Sequence, residues 1–214
     1  MRRIDLHCYP GTDVWRTSQG PYVEALEQYW SKPWVARAEE AVKVHGVLGF
    51  HFHPIIGHYR VDDHALTPLF ETIDALGVPV MIDVGTTGMG AGLPGGMGAV
   101  LRHAHPEALD ALAARHPKLT IIAAHPGWPW IDEMTAVALH KANVYWELSG
   151  WAPKYFPPSL LSDIRGRLRH KIMFGSGHPS MPYERILREW DALGFDDAVM
   201  HAVFHENAER LLGL

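Results

Sequence analysis

Ala123-Ala124-His125-Pro126-Gly127-Trp128-Pro129-Trp130 follows directly on the apolar run Leu119-Thr120-Ile121-Ile122. Beyond it, Ile131, Met134, Val137 and Ala138 recur at the spacing that places side chains on one face of a helix. An uninterrupted apolar run is how a parallel strand buried on both faces reads. The stretch is therefore strand, loop, helix, with His125 at the point where strand gives way to loop. Parallel α/β folds bind their ligands at that edge of the sheet, so an imidazole there is a candidate for chemistry. A histidine that only satisfies loop backbone is the alternative for any one such position. Repetition argues against it, because other apolar runs in the chain end in the same way.

On the N-terminal side, Val78-Pro79-Val80-Met81-Ile82-Asp83-Val84-Gly85 reads as a strand, followed by a glycine-rich loop to Gly98 and a helix from Pro106 to Arg115. Before it, Gly46-Val47-Leu48-Gly49-Phe50-His51-Phe52-His53-Pro54 is a strand, and Thr67-Pro68 opens a helix that stops at Gly77. On the C-terminal side come the strand Val144-Tyr145-Trp146-Glu147-Leu148-Ser149-Gly150, a helix around Ser159 to Leu168, and the strand Lys171-Ile172-Met173-Phe174-Gly175. Helices from Pro182 to Leu193 and from Ala198 to Leu212 close the chain. Its opening, Ile4-Asp5-Leu6-His7-Cys8-Tyr9-Pro10, is one more strand, and helices are expected over Tyr22 to Trp30 and Val35 to His45, with Gly46 as a cap. Six strands alternating with helices imply an α/β fold with a parallel sheet, in one domain over residues 1–214.

Composition narrows the function classes. The 214 residues are 47% apolar and 20% charged, enough for a buried core, and the net charge of −5 comes without a basic run. That argues against nucleic acid or an anionic membrane as partner and in favour of a small molecule. Cys8 is the single cysteine, so no internal disulfide can form. Met1-Arg2-Arg3 runs straight into a strand, and no apolar segment reaches the roughly 18 residues that span a bilayer, so a cytoplasmic location is expected.

Polar residues gather where the strands end: His7 and Tyr9, His51 and His53, Asp83, His125, Glu147, and finally Ser176 and His178. Imidazoles and carboxylates converging from several strands are what a catalytic divalent metal needs. Taken singly, a core histidine, a capping Glu147 or a packed Tyr9 stays open. His103, His105, His116, His140, His170, His201 and His205 fall in helices or loops and are expected to be solvated. Gly90-x-Gly92-x-x-Gly95 formally matches a dinucleotide fingerprint, but its strand does not open a βαβ unit. A flexible active-site loop, touching a CoA-like phosphate, is the preferred reading. Trp128, Trp130, Trp151 and Tyr155 lie in loops on the same side, where they can stack on an aromatic substrate or pack beneath the loops.

Asp5-x-His7, Gly49-Phe50-x-Phe52-His53-Pro54, Ala123-Ala124-His125-Pro126-Gly127, Phe174-Gly175-Ser176-x-x-Pro179 and Asn207-Ala208-Glu209-Arg210-Leu211-Leu212, in that order, resemble amidohydrolase family 2, the group related to aminocarboxymuconate-semialdehyde decarboxylase. Met81-Ile82-Asp83-Val84-Gly85-Thr86-Thr87-Gly88 with Trp146-Glu147-Leu148-Ser149-Gly150-Trp151 is similar to 4-hydroxyphenyl-β-ketoacyl-CoA hydrolase-like members. The resemblance implies a metal-dependent (β/α)₈, or TIM, barrel, here shortened by about two strand-helix units between the first strand and Gly46. The sequence departs from the family pattern at Tyr9 and Asp83, where histidines are usual, and at Gly177, where an aspartate is usual.

The resemblance leads to His7, Asp83 and His178 as ligands of a divalent metal, zinc being the first expectation. His125, His53 and Glu147 follow as catalytic groups, and Tyr9, His51, Trp128 and Trp151 as substrate contacts. The expected reaction is hydrolysis of an aromatic or aryl β-ketoacyl(-CoA) substrate by water attack at a carbonyl. Non-oxidative decarboxylation of an aromatic or muconate-type acid, and a catalytically impaired binding or assembly protein, are the alternatives. A shortened barrel exposes a sheet edge, so a homodimer or larger assembly is expected. With Gly177 lacking a side chain the metal site is expected to be weak, and Gly177→Asp to tighten it.

Overall fold

Parallel neighbours cannot be joined by tight turns, so each strand must be followed by a crossover, and helices supply it. In the computed structural model, which describes residues 33–214, five short strands obey this rule. They are β1 (Phe50–Phe52), β2 (Val80–Asp83), β3 (Ile121–Ala124), β4 (Val144–Glu147) and β5 (Ile172–Met173). They pair in sequence order, every neighbour parallel. The expected first strand and the helix over Tyr22 to Trp30 lie outside the described residues.

Helix α1 (Trp34–Lys43) precedes β1, and the short α2 (Pro54–Gly57) and α3 (Thr67–Leu76) follow it. Next come α4 (Pro106–Arg115), α5 (Ile131–His140), α6 (Pro158–Arg165) and α7 (Tyr183–Asp191). The chain closes with α8 (Asp197–His201), a π-helical turn (Ala202–Glu206) and α9 (Asn207–Leu212). Proline sits in the first turn of α3 and of α4, where its missing N–H has no partner to lose, and α3 stops at Gly77 in the left-handed region at φ 71°. Strand β5 is shorter than the apolar run that encodes it. Leu148 N and Phe174 N on either side find carbonyl partners at Met173 and Val203. Among the described residues no helix is long and apolar enough to cross a membrane.

The two-residue period of a strand sorts the sheet into two faces. Val80, Ile82, Ile121, Ala123, Val144, Trp146 and Ile172 point toward the helices and join Phe70, Ile73, Leu109, Leu112, Met134 and Leu160 in the main core. Burial of each large apolar side chain there stabilises by about 1.5–3 kcal/mol. On the other face Met81, Ile122, Tyr145 and Met173 pack against Ala208 and Leu211 of α9. At the edge where the strands begin, polar side chains bond to backbone. Asn143 Nδ2 donates to His116 O and Leu119 O at 3.0 Å each, Asn207 Nδ2 to Arg169 O at 2.8 Å and Ile172 O at 2.7 Å, and Lys171 Nζ to Ala138 O at 2.8 Å.

Candidate active site

The face that carries Met81 also carries the candidate chemistry, with Asp83 one period beyond Met81 and Glu147 one period beyond Tyr145. His51 is opposite Met81, and Asp83 stands level with Ala124, which is level with Glu147. Phe52 turns the other way, its ring 5.3 Å from Phe70 of α3, so His51 and His53 project together on the face of Asp83. Asp83 takes both. His51 Nε2 donates to Oδ1 at 2.7 Å and His53 Nδ1 donates to Oδ2 at 2.6 Å. An ionised carboxylate only accepts, so those two ring nitrogens carry the protons. The third imidazole, His125, brings Nε2 to 3.5 Å from Asp83 Oδ1.

Burial alone would raise the Asp83 carboxyl, but contacts with His125, His51 and His53 outweigh it and hold the group well below the usual carboxylate range. For His125 burial acts downward, and Asp83, Glu147 and the Ser149 backbone outweigh it, so the imidazole titrates above its ordinary value. The field of Asp83 reaches Tyr59 as well. Burial first, and that charge second, push the phenol up to about 12, so it stays neutral.

His125 is held in an unusual backbone conformation, φ 73°, which costs a residue other than glycine about 1–3 kcal/mol. The fold compensates: the indole N–H of Trp146, itself fully buried, donates to His125 O at 2.7 Å. His125 Nδ1 lies 3.1 Å from Ser149 O and 3.2 Å from Ser149 Oγ, and that hydroxyl donates to Glu147 Oε2 at 2.9 Å. Gly150 must be glycine here, since a Cβ would stand 2.6 Å from His125 Nδ1 and its φ is +76°. Nδ1 is thereby committed to the loop, and Nε2 faces the cleft.

That cleft, of about 620 Å³, is lined by His53, Asp83, His125, Thr86, Trp151 and Met181 among others, with Gly177 in its wall. Its mix of apolar wall and few convergent polar groups suits a small organic ligand. Of the residues expected from the sequence, His53, Asp83, His125 and Trp151 line it. Four others stand differently. His178 is exposed, its backbone N–H donating to Ser176 Oγ at 3.0 Å, and it is not among the cleft residues, because the loop after β5 turns its side chain outward. His51 does not line the cleft either. It meets Asp83 and borders a second hollow of about 390 Å³ with Trp34, Phe50 and Tyr59.

Glu147 has no exposed surface and reaches His125 through Ser149, so it positions the imidazole rather than touching substrate. Trp128 is 49% exposed and tilts against Trp151 with ring centroids 5.6 Å apart. His7 and Tyr9 lie outside the described residues. His116, expected in solvent, is buried beneath Phe70 at 6.0 Å. Ser149 escaped the sequence reading, although Glu147-x-Ser149 at a strand end carries the two-residue period that puts both side chains on one side.

The donor chemistry at β1 and β2 fits a divalent cation. His51, His53 and Asp83 each offer a ligand atom, and these atoms lie within 4.8 Å of one another. Two imidazole nitrogens and one carboxylate oxygen suit manganese or zinc.

The sequence profile of the amidohydrolase family matches residues 28–214. No curated protein matches the chain. Solved structures do. A TIM-barrel protein from Bordetella bronchiseptica superposes with a TM-score of 0.72 at 25% identity, over 83% of this chain and 61% of that one. A 2,6-dihydroxybenzoate decarboxylase complexed with 2,6-dihydroxybenzoate follows at 0.65 and 16% identity, over 84% and 66%. A dihydroxybenzoic acid decarboxylase from Polaromonas sp. JS666, with bound manganese and 2-nitroresorcinol, superposes at 0.65 and 17% identity, over 84% and 65%. The chain thus spans about three fifths of the length of the Bordetella protein. Five parallel strands in β/α alternation make its fold that of a shortened TIM barrel over the described residues.

Proposed function

The chain belongs to the amidohydrolase family, and from that premise we propose that it is a metal-assisted, non-oxidative carboxy-lyase acting on an aromatic carboxylic acid. The observation that carries the reading is His125. Its imidazole is fixed by Trp146, Ser149 and Gly150, held toward the protonated state by Asp83, and turned with Nε2 into a cleft of ring-accepting size. Likeness in fold to decarboxylases of dihydroxybenzoic acids supports the choice of substrate class.

Decarboxylation of an aryl acid needs a proton at the ring carbon that bears the carboxylate. Nε2–H of His125 supplies it. The C–C bond to the carboxylate then breaks, its electron pair returns to the ring, carbon dioxide leaves, and aromaticity is restored. Asp83 stabilises the imidazolium before transfer and favours its reprotonation afterward. Glu147, through Ser149, keeps Nδ1 on the loop side so that only Nε2 exchanges protons with substrate. Trp151 and Met181 give the ring an apolar wall. His51, His53 and Asp83 would hold a divalent ion, which when bound supplies a Lewis acid for substrate oxygens.

The test is product analysis with the manganese- or zinc-loaded protein. Hydroxybenzoate-type acids should yield carbon dioxide and the corresponding phenol. Formation of an arylcarboxylic acid and acetyl-CoA from an aryl β-ketoacyl-CoA, with no carbon dioxide from the acids, would replace this reading with the hydrolytic one, which calls on the same histidine.

A further inference from the structure

The family resemblance places metal ligands on the first strand, at Asp83 and at the position of Gly177, yet Gly177 offers no ligand atom and His178 beside it is exposed. A Cβ at position 177 would find Gly150 N at 3.4 Å, Gly150 Cα at 3.8 Å and Met181 Cε at 3.9 Å as its nearest neighbours, not the imidazoles of β1. A side chain there would start toward the Gly150 wall of the cleft. The residues at the ends of β1 and β2 present the opposite picture. His51 Nε2 and His53 Nδ1 already converge on the two oxygens of Asp83, with the two imidazole ring centroids 4.0 Å apart.

We propose that this protein carries its divalent cation on His51, His53 and Asp83, a centre that keeps the family position at Asp83, takes its other two ligands from the end of β1 and is independent of the loop after β5. The proposal deepens the reading above, since it concerns the same cleft. Three features support it. His51 and Asp83 stand on two adjacent strands joined by ladder hydrogen bonds, and His53 is the first residue beyond β1, at the start of α2, so the sheet sets most of their spacing. The set is two borderline nitrogens and one hard oxygen, which leaves coordination positions for water or substrate. Two of the three side chains face the cleft directly, and His125 stands 3.5 Å from the same carboxylate, within reach of anything bound there. Entry of the ion displaces the protons now shared with Asp83, as ligation requires bare ring nitrogens.

The experiment reads metal rather than turnover. Purified full-length protein is stripped with chelator and titrated with Mn²⁺ followed by electron paramagnetic resonance, and with Zn²⁺ followed by elemental analysis after desalting. The wild type should take up about one ion per chain. His51→Gln and His53→Gln, which keep volume and one hydrogen bond, should each weaken binding at least tenfold, and Asp83→Asn more. Gly177→Asp and His178→Ala should leave affinity within about twofold. Circular dichroism of each variant checks that the fold survives, and His51→Ala and His53→Ala serve as second variants should a glutamine protein misfold. An ion-free wild type under saturating metal overturns the proposal. So does loss of binding in His7→Ala alongside its retention in both β1 variants, or a clear gain in Gly177→Asp. Because no reaction is assayed, an ion bound at other residues leaves the carboxy-lyase reading standing, and failure of that reading leaves the metal centre standing.

Discussion

The two edges of the sheet use polar side chains in opposite ways. Where the strands begin, Asn143, Lys171 and Asn207 spend their donors on backbone carbonyls, mostly those that the ends of helices and the turns after them would leave without partners. Where the strands end, His51, His53, Asp83, His125, Ser149 and Glu147 bond to one another. Bonds to backbone are saturated and leave nothing to react, whereas side chains bonded to side chains keep labile protons and charge at a surface that a ligand can reach. The same residue types are therefore structural at one edge and chemical at the other, and what they bond to tells them apart.

Four substitutions or conditions probe that contrast. His125→Ala carries the largest expected effect, a loss of about 10²–10⁴ in kcat, the usual worth of a general acid. Its thermal midpoint should fall little; steady-state kinetics beside a melting curve decides, and a retained kcat would remove the proton donor from the scheme. Asn207→Ala, at the other edge, should cost about 1–3 kcal/mol of stability by stripping a donor from buried carbonyls. Its turnover measured well below the melting point should be unaltered. Were turnover to drop and stability to hold, the division between edges would be wrong.

The third concerns pH, in chelator-treated protein. His125 titrates above its unfolded value of 6.5, so its contribution is complete below that value and is lost as pH rises through the higher folded one. Asp83 titrates below its unfolded 3.8, so its contribution is complete above that value and is lost as pH falls through the lower folded one. Both are in full force between those two unfolded values, and the melting temperature should be highest there. Asp83→Asn should flatten the decline on the alkaline side; a profile identical to wild type would show that the imidazole draws nothing from the carboxylate. The smallest effect is expected of Trp128→Ala. Its ring pairs with Trp151 but is half exposed, so the change is about 0.5–1.5 kcal/mol in binding of an aromatic acid, seen in KM with kcat unmoved.

How far the sequence could be read follows from the range of the interactions involved. Strands β2, β3 and β4 and helices α3, α4 and α5 are local in origin: apolar periodicity, proline in a first turn, and glycine at Gly77 each act within a few residues. His125 at a strand end was legible for the same reason. The pairing of His51 and His53 with Asp83 spans some thirty residues and depends on which strands become neighbours, so the two histidines read as substrate contact and acid/base group rather than as co-ligands of Asp83. His178 illustrates the converse. Its neighbourhood in sequence to Gly177 suggested a ligand, but backbone direction after β5 turns it to solvent. His116 looked solvated because its burial comes from Phe70, on a helix far away in the chain.

The glycine at position 150 has a consequence for selectivity. It crowds the His125 ring so closely that a single added carbon would collide with Nδ1, and with Trp146 holding the carbonyl and Ser149 O 3.1 Å from Nδ1 the imidazole is pinned from two sides. An acid that cannot swing delivers its proton to one point in space. In the proposed reaction the outcome among isomeric substrates is then regiochemical: the carboxylate that departs is the one whose ring carbon the cleft seats beneath Nε2. An isomer seated one ring position away is bound but left intact, an inhibitor rather than a slow substrate.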